Sequence, residues 1–253
     1  METHAHHLHK SPGHGWKHYF FEFFMLFLAV TLGFIVENLR EQYVERKRGQ
    51  EYVRSLYEDL KTDTTRLSLI IRSDAIKIAA LNGMSSCYDT VMKNLLSTSC
   101  MGELVKYSKT NASFAMTDRT TRQLANAGGF RILNKEDADS ILSYENAFKI
   151  YQDFQATLFQ TAQDNVRNTL NQMASFKVNA PIQSFAVALG PDTSSSRLSG
   201  PLLFTDDKVL LNKWFNELAL YLRVTIGQQA ILGRLYRKTS SLIEFYKNKY
   251  HLE

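Results

Sequence analysis

Six of the seven histidines crowd the first eighteen residues, at His4, His6, His7, His9, His14 and His18, and the seventh, His251, stands third from the end. Neutral imidazoles bind zinc, copper or nickel, so a metal-capturing leader is one reading of the tract. No carboxylate or thiol accompanies the imidazoles at a fixed ligand spacing, so the signal is compositional. The favoured reading is a solvated, partly protonated tail beside anionic headgroups. No metal and no other cofactor is expected.

Beyond Glu37 only His251 remains, so Ser–His and Cys–His nucleophile pairs and the H-E-x-x-H zinc helix lack their histidine. No G-x-x-x-x-G-K-[ST] loop occurs, and Gly128-Gly129 reads as a helix stop rather than a phosphate cradle. The acidic pairs Asp206-Asp207 and Asp137/Asp139 suit the positive end of a helix. Cys87 and Cys100 read as two separate thiols, with a disulfide as the alternative should the domain lie outside the cell. No catalytic, cofactor-binding or metal-binding residue is assigned, and an enzyme is not expected. A hydrolase that works without histidine, using Asp, Glu or Lys alone, is the enzymatic alternative.

Lys and Arg number 30 against 25 Asp and Glu, which gives a net charge of +5. The densest basic cluster, Arg46-Lys47-Arg48, follows an apolar segment; elsewhere bases alternate with acids. Such a cluster attracts anionic lipid more naturally than it reads bases, so the bilayer is an expected partner and nucleic acid is not.

Long helices must position whatever these residues do. The 253 residues contain 12 Gly and 4 Pro, too few for a turn-rich β-sandwich or barrel. The prolines are Pro12, Pro181, Pro191 and Pro201, so nothing from 13 to 180 obliges a helix to stop. Loops are expected near 97–117 and 176–204.

Tyr19 to Val36 reads YFFEFFMLFLAVTLGFIV, with Glu22 its one charge. Eighteen helical residues rise about 27 Å, close to the ~30 Å hydrocarbon core of a bilayer. Glu22 lies one turn inside the end, near the headgroups, and Trp16, Tyr19 and Phe20 suit an interfacial belt. An ionisable residue in a span can also mark a proton path, and Gly33 would admit a partner helix. The run ends in Phe34-Ile35-Val36-Glu37-Asn38 without a small-x-small site, so a retained span is expected rather than a cleaved signal. Lys10 and Lys17 precede it; Arg40, Arg46, Lys47, Arg48 and Arg54 follow it. That excess favours a cytoplasmic C-terminal domain. The organisation is a His-rich leader at 1–18, a transmembrane helix at 19–36 and a helical domain at 37–253.

In that domain residues recur at alternating steps of three and four. Val53, Leu56, Leu60, Thr64, Leu67, Ile71, Asp74, Ile78, Leu81, Ser85, Tyr88, Met92 and Leu95 form one stripe, in which Thr64, Asp74 and Ser85 are polar interruptions that set register or open the seam. With no proline between, one rod can run from the span into the domain. A short helix over Thr120–Ala127 ends at Gly128-Gly129. A second long helix begins at the cap Asn134 and continues through Ile141, Tyr144, Phe148, Tyr151, Leu158, Ala162 and Val166. The last, capped by Thr205, carries Leu211, Phe215, Leu218, Leu222, Thr225, Gln229, Leu232, Tyr236, Thr239, Ile243 and Tyr246 over about forty residues. The spacing predicts an all-α fold, a transmembrane helix continuing into a coiled-coil-like bundle of three to four long helices, the last antiparallel to the others, with no sheet.

The opening GWKHYFFEFFMLFLAVTLGFIVENLREQYVERK resembles a family of uncharacterised bacterial proteins with one N-terminal span. The shared features are the histidine-rich leader, Glu22 in the apolar helix, the Glu37-Asn38-x-Arg40-Glu41 exit and the helix ending Asp59-Leu60-Lys61-Thr62-Asp63-Thr64. TTRQLANAGGFRILNKEDADSILSYE, Thr120 to Glu145, is similar to that family's central helix–glycine–helix segment. The resemblance implies architecture and membrane attachment and names no reaction. The expected function is that of a membrane-anchored interaction or scaffold protein working through helix packing, with a protein partner or a second copy of itself. The alternative is a single-span sensor that binds a small molecule between its helices, with Thr225, Gln229 and Thr239 lining the pocket.

Overall fold

The computed structural model describes residues 15–95, 99–126, 128–175 and 202–252. Among the described residues the secondary structure is helical, apart from one isolated bridge between Ala174 and Leu203. The expected all-α class holds. The helices are α1 (Trp16–Leu81), α2 (Met84–Lys93), α3 (Met101–Lys109), α4 (Arg119–Asn126), α5 (Lys135–Phe154), α6 (Gln160–Met173) and α7 (Lys208–Tyr250). The chain divides into two compact units, Met1–Gly49 and Gln50–Glu253.

The described part of the first unit is the N-terminal portion of α1. None of its apolar stretch is buried, and the stretch is long and apolar enough to cross a membrane. Phe20 stacks on Phe24 and Phe23 on Phe27, each one turn apart. Within the stretch the Thr31 hydroxyl donates to the Phe27 carbonyl of the preceding turn at 2.8 Å, so it is met inside its own helix. The histidine-rich leader before Gly15 lies outside the described residues.

The second unit is built on three rods: α1 from Gln50 onward, α5 continued by α6, and α7. Gln229 meets Ile71 while Tyr221 meets Lys77, so α7 runs antiparallel to α1. Lys249 meets Glu136 while Tyr221 meets Gln163, so α7 is antiparallel to the α5–α6 rod as well. α7 spans 43 residues. Its cap is Asp207 rather than Thr205: the Asp207 carboxylate accepts from the N–H groups of Val209 and Leu210, whereas the Thr205 hydroxyl accepts from Asp207 itself. Asn134 caps α5 as expected, accepting from the Asp137 N–H. Gly128 stops the turn after α4 at φ 61°, a conformation open to glycine without strain.

Three expectations change, and a fourth falls on residues outside the described ones. The first stripe is not one helix to Leu95: the ladder closes on three residues at Gly83, whose N–H donates to the Ala80 carbonyl, and α2 starts afresh. The expected loop at 97–117 contains α3, which buries Met101, Leu104 and Val105. The other expected loop, 176–204, lies outside the described residues except at its edges. Finally, Cys87 and Cys100 are joined by a disulfide, with Cα atoms 5.6 Å apart. The connection between α2 and α3 folds back and brings two residues thirteen apart in sequence within bonding reach, a closure that helical spacing does not reveal.

Buried apolar side chains of the second unit form two clusters. The near one gathers Val53, Leu56, Leu60, Leu67 and Ile70 of α1 with Phe114, Ile141, Tyr144, Tyr151, Leu232, Leu235 and Tyr246. The far one gathers Leu81, Cys87 and Val91 with α3, Phe159, Val166, Leu170 and Met173, and with Leu211, Trp214, Leu218 and Tyr221 of α7. Each fully buried Leu or Phe contributes roughly 1.5–3 kcal/mol, so these clusters hold the rods together.

Candidate functional site

The innermost positions of α1 are Leu56, Leu60, Asp63, Leu67, Ile70, Asp74, Lys77 and Leu81, an unbroken alternation of four and three. Three of the eight are charged. In α7 the inner series is Leu218, Tyr221, Thr225, Gln228, Leu232, Leu235 and Thr239. The expected seams chose Ile71, Ile78, Leu222, Gln229 and Tyr236; each lies one residue from the buried position and is only half-buried. The chemistry of the second unit therefore lies inside its packing.

Two polar constellations result. In the first, Asp59 and Asp63 hold the connection between α3 and α4 onto α1. Asp63 accepts from the Thr117 N–H at 2.9 Å, the Thr117 hydroxyl at 2.7 Å and the Tyr144 hydroxyl at 2.7 Å. Asp59 accepts from the Thr120 N–H at 3.2 Å, from the Thr120 hydroxyl and from the Arg119 guanidinium at 2.6 Å. Phe114, on the same connection, packs into the near core and donates its N–H to the Tyr151 hydroxyl. Burial raises the Asp63 carboxyl above the usual carboxylate range despite the hydrogen bonds from Thr117 and Tyr144, which lower it.

In the second, a polar layer lies between the two apolar clusters. Lys77 and Asp74, one turn apart on α1, are almost wholly buried, with Nζ 3.8 Å from Oδ1. Gln228 Nε2 donates to Asp74 Oδ2 at 2.8 Å. Lys77 Nζ donates to the Tyr221 hydroxyl at 3.3 Å, as does Gln163 Nε2, and that hydroxyl donates onward to the Thr110 carbonyl. The ammonium also stands 5.5 Å from the Phe159 ring centroid and 5.6 Å from that of Tyr221, within the range of cation–π attraction. Burial pushes Lys77 down from 10.5 to about 8 against the pull of Asp74, while burial raises Asp74 against the pull of Lys77. Asp74 Oδ1, Gln228 Oε1 and Gln155 Oε1 are buried without a hydrogen-bond donor.

The buried carboxylates and the Lys77 ammonium of the two constellations do not line the groove between α5 and α7. That groove, open and about 690 Å³ in volume, is lined by Glu136, Asp139, Ser143, Lys238, Leu242 and Phe245 among others. Lys238 there donates to the Ser143 hydroxyl. Both residues lie within helices, whose backbone N–H groups are consumed by the helical ladder, so this pair has no free pair of N–H donors to steady an oxyanion. Among the described residues no three His, Cys, Asp or Glu side chains gather as metal ligands do.

The pocket residues proposed for a sensor are engaged in packing. Thr225 and Thr239 are fully buried and donate to the Tyr221 and Leu235 carbonyls of their own helix. Gln229 donates to the Ile71 carbonyl of α1. Asp137, expected to serve the helix end, does more: it is buried and accepts from Lys249 and from the Tyr250 hydroxyl, fastening the end of α7 to the start of α5. Glu22 is exposed on α1, and His251 follows α7 as its left-handed C-cap.

Sequence reasoning passes over Lys77, Tyr221 and Gln228. The signal is present, because Asp63, Asp74 and Lys77 keep the step of three and four as well as their apolar neighbours do. Compared with protein-family models, with curated proteins and with solved structures, the chain matches none.

Proposed function

We propose that this protein is a membrane-anchored helical interaction or scaffold protein, acting by packing against a protein partner or a second copy of itself. The carrying observation is that one helix, Trp16–Leu81, presents an unburied apolar stretch of membrane length and then supplies the inner seam of a packed bundle. The buried polar chemistry supports this reading, since the well-bonded carboxylates each join one element to another. The lipid bilayer is the first partner. The likeness of the leader, span and exit to a bacterial single-span family is part of the proposal and rests on those residues alone.

We read the bundle as lying on the oxidising side of the membrane. The closed Cys87–Cys100 bond supports this, because reducing compartments keep thiols open. It weighs against the cationic excess that follows the span, which favours the cytoplasm. Crosslinking in native membranes tests the scaffold: a discrete adduct containing a second copy or one partner is expected, and a strictly monomeric, partnerless species contradicts it. Protease added to intact cells should cut the bundle; cutting only after the cells are opened contradicts the assigned side.

A further inference from the structure

Three independent features coincide at one level of the bundle. The near and far apolar clusters are separate there: Asp74, Lys77, Gln163 and Gln228 belong to neither, and Tyr221 of the far cluster brings its hydroxyl to Lys77 and Gln163. Three of the contacts in this layer are long, 3.8 Å between the ions and 3.3 Å for each bond donated to the Tyr221 hydroxyl, against about 2.9 Å for a well-made N–H···O bond; the Gln228–Asp74 bond, at 2.8 Å, is the short one. On the α5–α6 rod the ladder widens to a π-helical segment, Gln155–Phe159, between two α-helical stretches. Beside it Gly227 of α7 comes so close to the Phe154 ring that a Cβ would stand 3.1 Å from the ring edge.

We propose that this layer is a hinge, on which the near and far halves of the bundle bend relative to each other. An apolar core resists bending because every displacement opens a void. A layer with spare acceptors yields at lower cost, because donors can exchange partners. Among the described residues the Lys77 ammonium, with three N–H bonds, has one hydrogen-bond acceptor, Tyr221, while Asp74 Oδ1 and Gln228 Oε1 lack donors. Rotation of Lys77 or Gln228 therefore trades one contact for another without stranding a donor. The π-helical segment supplies the matching backbone freedom, since such turns are where helices change direction. It also carries Phe159, whose ring faces the ammonium, so a change in the turn moves a wall of the layer. Gly227 allows the two rods to stay in contact as they pivot. The hinge stands whether or not the N-terminal helix enters a bilayer.

Hydrogen exchange on the full-length protein in detergent tests it. Amides at 156–163 and 224–229 should exchange at least about tenfold faster than those at 141–151, 166–173, 214–221 and 232–239. Even protection through the level overturns the hinge. The variant Asp74→Leu, Lys77→Leu, Gln228→Leu should close the gap in exchange rate by joining the two cores, and an unchanged gap also overturns it. Should that variant fail to fold, spin-label distances on the otherwise native chain decide. The distribution for labels at Arg223 and Arg237, across the layer, should be broader than for Arg234 and Lys247, within the near half; equal widths refute the hinge.

Discussion

Asp63 and Asp74 lie eleven residues apart on one helix, both buried in its inner seam, and they meet opposite fates. Asp63 has a backbone N–H and two hydroxyls to accept from, and with Asp59 it fastens a connection that carries Phe114 into the core. Asp74 has one amide donor and an ammonium at 3.8 Å, with one oxygen unserved. A buried charge is a fastening where its lone pairs are met and a weak point where they are not.

The largest effect tests the weak point. Lys77→Met leaves the Asp74 carboxylate buried without its cation and should cost about 3–5 kcal/mol in denaturant unfolding. Adding Asp74→Leu should restore most of that loss, because an apolar pair replaces an ionic one with little net change. A double variant no better than the single would mean that the pair is itself a strong fastening, and the contrast with Asp63 would fail.

Asp63→Leu should cost about 3 kcal/mol, because it strands the Thr117 N–H, the Thr117 hydroxyl and the Tyr144 hydroxyl. A second substitution should not repair it, since one stranded donor belongs to the backbone. Tyr144→Phe, which removes one of the three donors, should cost about half as much, within the ~1.5–3 kcal/mol given by hydrogen bonds to charged groups.

Removing the disulfide as Cys87→Ser with Cys100→Ser should cost about 3 kcal/mol by the loop it closes. The loss should fall on the far half, with α2 and α3 losing hydrogen-exchange protection before the near core does.

The pH dependence separates the two ions of the layer. Between about 8 and 10.5 the folded chain has released the Lys77 proton while the unfolded chain keeps it, so the unfolded state binds more protons and this group makes stability rise with pH. The raised Asp74 and Asp63 act the other way: above the ordinary carboxylate range the folded state holds the protons, and stability falls as pH climbs toward their folded values. Unfolding followed from pH 8 to 10.5 should lose the Lys77 share of its upward component in Lys77→Met, leaving the smaller share of Lys109, which burial also lowers, and should keep both in Asp63→Leu. Asn134→Ala, at the α5 cap, is the smallest effect, about 1 kcal/mol.

The rods, the Asn134 cap and the glycine stop are legible in the sequence because periodicity and end chemistry are local. The expected seams fall one residue off at Ile71, Ile78, Leu222 and Gln229; a hydrophobic rule prefers Ile78 to Lys77, while Ile70-Ile71 and Gln228-Gln229 are pairs of identical residues that no such rule can separate. What turns Lys77 and Tyr221 inward is a partnership across 144 residues, which no local window contains. Leu158 is expected inside, yet it is 55% exposed and Phe159 is buried. The π-helical segment adds a residue to the turn there and rotates the helix beyond it. In the sequence Asp59 and Asp63 stand out only as the acids of the Asp59-Leu60-Lys61-Thr62-Asp63-Thr64 run; their work on Thr117 and Thr120 depends on how the connection folds back. The disulfide is only the second reading for the same reason, because the segment that forms α3 reads as loop.

An alkaline wash of membranes, followed by maleimide labelling of the denatured pellet with and without prior reduction, tests the membrane-held, oxidised bundle most directly. The account predicts that the protein stays in the washed pellet and that Cys87 and Cys100 take label only after reduction. Release into the supernatant, or full labelling without reductant, would contradict it.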